Sequence, residues 1–342
     1  MKGKKTIPLI TIAVLLVFSA GAFMMFLKGY KSDDTKEKTV FAMDTACTVK
    51  VWGRDPDKIC DEVCDEITRL GDVFDSHNAS SELSKLNANG SAELSADAKA
   101  LIEQSLELTK KHPETDISIG ALIKLWDITG DSPKIPSEEQ LNIAMQTCGY
   151  ENIKLDGSRC TLDKGAQLDV GAVAKGYALD KAKQLLDEKK AECAVISMGS
   201  SSLMYGKKPD GEDFSVGVKD PDDKDNLLLK FTCGECFVST SGGYERFFVA
   251  DGKKYIHIFD KTTGRPAETD LASVTVICDN GLKSDQLSTS IFIGGTKKLG
   301  EYFADKSIQI IAVDTNGDIH VSKSLEKKIT LEKSGHKIIV EK

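Results

Sequence analysis

The chain is 342 residues long, with 40% hydrophobic and 29% charged side chains, enough apolar surface to bury a core in one large domain or two small ones. Its formal net charge is -8 and no stripe of Lys and Arg runs along it, which argues against nucleic acid as a partner but leaves room for a locally positive cleft around a phosphorylated ligand. Nine cysteines are an odd number at irregular spacing, so no complete disulfide framework is legible.

At the N-terminus, Lys2, Lys4 and Lys5 precede an apolar run over residues 7–27, long enough at about 20 residues to cross a bilayer as a helix. Ala20 and Ala22 form an A-x-A cleavage pattern, but Phe23, Met24, Met25, Phe26 and Leu27 continue the run past it. Residues 1–30 therefore read as an uncleaved membrane anchor, with everything after it outside the cytoplasm. The charged KSDDTKEK, residues 31–38, reads as a solvated linker, and residues 39–342 as one folded body. Alternating apolar residues in TVFAMDTACTVKVW predict strand structure from Thr39. Ile59, Val63, Ile67, Leu70 and Phe74 then recur at helical spacing, as do Leu101, Ile102, Ser105 and Leu108 after a cap at Ser95. A further helix is predicted over about 172–189, followed by short strands at 193–198, 214–218, 227–232, 237–240, 255–259 and 273–278. A helix over 282–293 precedes a last group of strands from Ile308. Helices early and strands late favour an α+β fold with mixed sheets over a regularly alternating doubly wound one.

Three stretches carry chemistry. In QLDVGAVAKGYALD, residues 167–180, a strand end bearing Asp169 meets a small-residue turn and then a helix. Gly171, Ala172 and Ala174 keep side chains clear, the helix start offers unpaired N–H groups, and Lys175 adds a mobile positive charge, which together suit a phosphate. The plainer alternative is ordinary helix capping. In SDQLSTS, residues 284–290, Asp285 and Thr289 fall at i and i+4 on one helix face. Two hard oxygens there suit Mg2+, which takes one or two protein carboxylates and fills its octahedron with phosphate, carbonyl and water oxygens. The alternative is a cap at Ser284 or Asp285 and a surface Thr289. In YIHIFDKTTGRP, residues 255–266, His257 alternates with Tyr255 and Phe259 before a turn built from Asp260, Gly264 and Pro266. An imidazole on that apolar row is either a satisfied core histidine or a site residue. CGEC, residues 233–236, lies between two predicted strands and reads as a tight turn with free thiols, because no second CxxC or His pair completes a metal site.

AMDT at 42–45, FDSHNASSELSKLN at 74–87, DISIGALIKLW at 116–126, QLDVGAVAKGYALD, FSVGVKDP at 214–221, STSGGYERFF at 239–248, HIFDKTTGRP at 257–266 and SDQLSTS stand in this order along the chain. Together they resemble the FAD:protein FMN transferase family, the ApbE type, over about residues 41–311. The resemblance implies a Mg2+-dependent enzyme with FAD as substrate, transferring FMN to a threonine hydroxyl of an acceptor protein and releasing AMP. It implies a cation held by Asp285, Thr289 and the Ala172 carbonyl. It also implies catalytic roles for Asp285, which takes the threonine proton, and for His257, which orients the phosphate or assists the leaving group. Met43, His77, Glu114, Thr115, Asp116, Asp169, Lys175 and the backbone near Phe259 would line the FAD site. Departures from the family pattern fall at His77, where relatives often carry an aromatic ring, at residues 199–201, where Gly-Gly-Asn is more usual, and at Gly243, where an acid is common. Two other readings stand beside transfer: an FAD pyrophosphatase that gives FMN to water, and a surface flavin-binding protein without turnover. The implied acceptor is a membrane-associated electron-transfer protein outside the cytoplasm, the side on which the anchor would place the catalytic domain.

Overall fold

The computed structural model describes residues 35–223 and 225–341. The apolar run read as an anchor lies outside the described residues, and no helix among those described is long and apolar enough to cross a membrane. Regular structure starts earlier than the linker reading places it. Strand β1 (Thr35–Ala42) pairs antiparallel with β2 (Thr45–Trp52), from Thr35 opposite Trp52 to Ala42 opposite Thr45, so residues 35–38 are strand and not linker. Their charges are tolerated because β1 is a sheet edge, where Lys36 and Lys38 reach Asp57 and Asp61 of helix α1 (Pro56–Phe74) at 2.6 and 2.9 Å. Met43 and Asp44 alone join the two strands, both left-handed at φ 51° and 57°, as a type I′ hairpin turn requires.

The fold is α+β. Nine strands form the main sheet in the order β1, β2, β6 (Cys193–Met198), β7 (Ser201–Gly206), β10 (Cys236–Gly242), β15 (Leu271–Cys278), β16 (Gln309–Asp314), β17 (Ile319–Ser322) and β19 (Ile338–Glu341), antiparallel except for the last pair. Strand alternation sorts its side chains between two faces. Val49, Val51, Ala194, Ile196 and Leu203 pack with Ile59, Val63, Ile67 and Leu70 of α1 and with Leu179 and Ala182 of α6 (Ala174–Glu188). Val274, Val276, Ile310 and Ala312 pack under α7 (Gly281–Gly294) and α8 (Thr296–Ala304). Val195, Met204, Val238, Ile277 and Ile311 point the other way, onto a second sheet ordered β18 (Ile329–Leu331), β9 (Leu227–Cys233), β8 (Phe214–Lys219). Cys233 and Cys236 flank the two-residue bend where the chain crosses from this sheet to the main one, and all nine cysteines are free thiols.

Helices α2 (Glu82–Asn89), α3 (Ala96–Lys111), α4 (Gly120–Trp126) and α5 (Glu138–Met145), with a small sheet of β3 (Ser91–Glu93), β5 (Arg159–Leu162) and β4 (Ile153–Asp156), build the rest of the body. Two short pairs, β11 (Phe247–Ala250) with β12 (Lys253–Ile256) and β13 (Phe259–Asp260) with β14 (Arg265–Pro266), close over α4. Trp126 centres that contact: Tyr255 and Phe259 lie against its ring and its Nε1 donates to the Gly264 carbonyl at 2.9 Å. The single strand expected over 255–259 is thus two, broken at His257, whose backbone N–H turns back to the Arg246 carbonyl at 3.2 Å.

Helices α6 and α7 meet at two glycines. A Cβ at Gly176 would collide with the Gly281 carbonyl oxygen and lie 2.8 Å from Asp285 Cβ, and a Cβ at Gly281 would collide with the Gly176 carbonyl oxygen. Each helix then caps the other. Asp180 of α6 accepts from the N–H groups of Gly281 and Leu282 at 2.6 and 2.8 Å, while Asp285 of α7 accepts from Gly176 N–H at 3.0 Å. Burial pushes the Asp180 carboxyl up to about 6 against these two hydrogen bonds. Gly176→Ala is expected to lower stability by about 1–3 kcal/mol through overpacking. Gly300→Ala, on α8 where a Cβ meets open space, should hold or raise it; thermal unfolding of the two variants against the parent chain checks both.

Candidate active site

The elements meeting near the α6–α7 crossing enclose a cleft of about 960 Å3, within the size range of small-molecule and cofactor sites. Its walls include the β1–β2 turn, the segment 114–120, the turn 169–175, the end of β10, residues 257–259 and the face of α7 that carries Asp285, Thr289 and Ile293. All twelve residues singled out in the sequence line it: Met43, His77, Glu114, Thr115, Asp116, Asp169, Ala172, Lys175, His257, Phe259, Asp285 and Thr289. Their side chains are not equally available to a ligand.

Asp285 is buried, 6% exposed, and held from two sides: Oδ2 accepts from Gly176 N–H at 3.0 Å and Oδ1 from the Ser201 hydroxyl at 2.9 Å. Lys175 Nζ lies 3.9 Å from Oδ2 and 3.4 Å from the Gly171 carbonyl. Thr289, one turn on, lies 3.0 Å from Ser241 Oγ and 3.4 Å from the Asp285 carbonyl. Because Gly176 N–H is spent on Asp285, the Ala172 carbonyl receives no helical hydrogen bond at the start of α6. One carboxylate, one hydroxyl and one carbonyl are thus the oxygens available at the crossing. No group of three or more His, Cys, Asp or Glu able to hold a metal occurs among the described residues.

Asp169 forms no helix cap. Its Oδ1 accepts from Gly171 N–H at 2.9 Å, which shapes the turn before α6, and burial in the cleft wall raises its pKa above the ordinary carboxylate value. His257 Nδ1 lies 3.0 Å from the Arg246 carbonyl, which only a protonated Nδ1 can satisfy, so Nε2 carries the lone pair. Burial lowers this imidazole to about 4, so it is neutral at pH 7. Arg246 also donates to the Asp44 carbonyl at 2.9 Å, tying the β11 end of the cleft to the β1–β2 turn.

The side chains of three expected site residues turn into the protein. Asp116 pairs with Lys261 at 2.7 Å and accepts from Tyr150 N–H at 3.1 Å. Glu114 pairs with Lys298 and accepts from the Tyr302 hydroxyl at 2.9 Å; burial opposes its charge, and these partners prevail, holding it below the ordinary glutamate range. Thr115 accepts from the Ser290 hydroxyl at 2.8 Å. His77 is exposed on the rim, its backbone N–H held by Asp75 at 2.7 Å, and Phe259 is buried against Trp126. Sequence reasoning missed the hydroxyls under α7. Ser239 and Ser241 of β10 alternate toward Ser284, Ser288 and Thr289, at 2.9, 2.8 and 3.0 Å. The signal was present as period-two serines in STS, residues 239–241, but its partner on α7 is a tertiary contact.

The ApbE family model matches residues 43–313. This chain belongs to the ApbE family. A relative named FAD:protein FMN transferase from Treponema pallidum is 32% identical over 279 residues, covering 74% of this chain and 77% of that protein. Another of that name from Klebsiella pneumoniae is 31% identical, over 66% of this chain and 71% of its own. The ApbE protein of Thermotoga maritima superposes with a TM-score of 0.80 at 30% identity, covering 85% of this chain and 97% of that one.

In this ApbE chain the neutral His257 makes stability fall in acid. Its folded-state value near 4 lies below the ordinary 6.5, so its contribution is full above about 6.5 and is lost as pH falls toward 4. An NMR titration should show the His257 ring resonances unmoved from pH 8 to 5.5, with Nδ1 as the protonated nitrogen throughout.

Proposed function

We propose that this protein is a Mg2+-dependent FAD:protein FMN transferase, moving the FMN part of FAD to a threonine hydroxyl of an acceptor protein and releasing AMP. The observation that carries this reading is the oxygen set at the α6–α7 crossing, where the Asp285 carboxylate and Thr289 hydroxyl stand near an Ala172 carbonyl freed of its helical donor. One carboxylate with neutral oxygens is a donor set that fits Mg2+, which reserves its other positions for phosphate and water. When bound, the cation supplies charge neutralisation to a pyrophosphate whose own charge repels nucleophiles. The names of the curated relatives support the substrate, and the cleft volume suits it.

This chain's residues divide the remaining work. Lys175, on the first turn of α6, sets a positive charge beside the phosphates. The threonine oxygen forms a bond to the FMN phosphorus while the bond from that phosphorus to the bridging oxygen breaks, and that oxygen leaves with AMP. Asp285 takes the threonine proton. His257, neutral with its lone pair on Nε2, accepts a hydrogen bond in the cleft, which makes it an orienting group and not a cation on the phosphate. We place the acceptor at the membrane outside the cytoplasm, on the support of Lys2, Lys4, Lys5 and the apolar run over 7–27.

The full chain, incubated with FAD, Mg2+ and a candidate acceptor domain, should add one FMN to the acceptor by intact mass with an equal yield of AMP. EDTA should abolish both, and Asp285→Asn should slow them about 100-fold or more. AMP with free FMN and no gain on any acceptor would indicate a pyrophosphatase, and FAD binding with neither product a flavin-binding protein.

A further inference from the structure

We propose that Ser201 and Ser241 are positioning residues that aim the cation-facing oxygens of Asp285 and Thr289, an inference that rests on the reading of those oxygens as cation ligands. Ser201 opens β7 after a two-residue turn in which Gly199 is left-handed at φ 62°, and its side chain is fully buried. It does not line the cleft, so it can act there only through Asp285. Its hydroxyl reaches Oδ1 at 2.9 Å from the main sheet, while Gly176 N–H reaches Oδ2 at 3.0 Å from α6. One donor on each oxygen, arriving from different elements, fixes the carboxylate plane and leaves each oxygen lone-pair capacity for a cation. With Ser201 removed, Gly176 N–H alone would anchor Oδ2, and the carboxylate would be free to turn about its Cβ–Cγ bond.

Ser241 acts on the neighbouring ligand through proton count. Ser288 lies 2.9 Å from the Asp285 carbonyl and 2.8 Å from Ser241, and Thr289 lies 3.0 Å from Ser241 but 3.4 Å from that same carbonyl. Each hydroxyl has one hydrogen to give. The order that uses only the short contacts runs from Thr289 to Ser241, from Ser241 to Ser288, and from Ser288 to the carbonyl. In that order Thr289 spends its hydrogen on the protein and keeps its lone pairs for the cleft. The reverse order requires the 3.4 Å contact and places the Ser241 hydrogen on one of the two Thr289 lone pairs, leaving a single one for the cleft.

The test titrates Mg2+ calorimetrically into the FAD-loaded full chain without acceptor, for the parent, Ser201→Ala, Ser241→Ala and Asp285→Asn. Both serine variants are expected to bind Mg2+ about 10-fold or more weakly. FAD affinity measured in EDTA should stay at the parent value, and excess Mg2+ should restore most of the AMP release seen with acceptor. A merely structural role would lower the unfolding midpoint and FAD affinity without a selective shift in the Mg2+ requirement. Should Ser201→Ala fail to fold, Ser201→Cys, which fills the space with a weak donor, takes its place with the same expected direction. Serine variants that bind Mg2+ like the parent while Asp285→Asn does not would overturn the positioning role alone. Parent-like binding by Asp285→Asn would overturn the cation site itself.

Discussion

The close crossing of α6 and α7 at Gly176 and Gly281 is the constraint on which the rest of the site depends. Two backbones can approach this closely only where neither carries a Cβ, and the approach puts the first turn of each helix within reach of an acid on the other. The exchange of caps is also a chemical event. By taking Gly176 N–H, Asp285 replaces the Ala172 carbonyl that would have accepted it and frees that carbonyl in the turn before α6. Packing and candidate ligand geometry are therefore one arrangement, and a change of tilt between the helices alters both.

The interface between α7 and the main sheet is unusual in what it buries. Ser284, Asp285, Gln286, Ser288 and Ser290 are all buried on a helix that also carries Leu287 and Ile291 into the core. Unpartnered, such groups would cost about 1–3 kcal/mol each. Here nearly every one has a partner: Ser201, Ser239 and Ser241 from the strands, Thr115 from the segment before α4, and for Gln286 Nε2 the Thr109 hydroxyl at 3.0 Å. Hydrogen bonds in a low-dielectric layer hold orientation tightly, because breaking one leaves a group with no water to replace it. A helix face bonded in this way keeps its oxygens at fixed positions.

Two of the acids that line the cleft are already paired. Glu114 is neutralised by Lys298 and Asp116 by Lys261, so neither presents a free charge to a ligand. Lys175 remains directed along the wall toward Asp285.

Periodicity in the chain alone was enough to locate α1, α3 and most strands of the main sheet, because each buries one face against a large neighbour and must repeat its apolar residues at 3.6 or 2; α6 and α7 were also located, although α7 is buried on most of its surface. The twelve residues marked in the sequence all line the cleft; Asp169, Lys175, His257, Asp285 and Thr289 stand in local patterns, whereas Met43, His77, Glu114, Thr115 and Asp116 came only from the family resemblance. Helices α2, α4 and α5, at seven or eight residues, are too short for a periodic signal, and the charged start of β1 reads as solvent-facing until α1 is seen beside it. The break at His257 depends on a carbonyl eleven residues upstream. What only the tertiary structure decided is which side chains are free. Glu114 and Asp116 are legible as acids but not as acids already paired, and Ser201, Ser241 and Asp180 gain meaning only from partners 48 to 101 residues away. A sequence records which atoms are present, but hydrogen-bond partners separated by such distances are chosen by packing, and packing is where this site's charges and lone pairs are assigned.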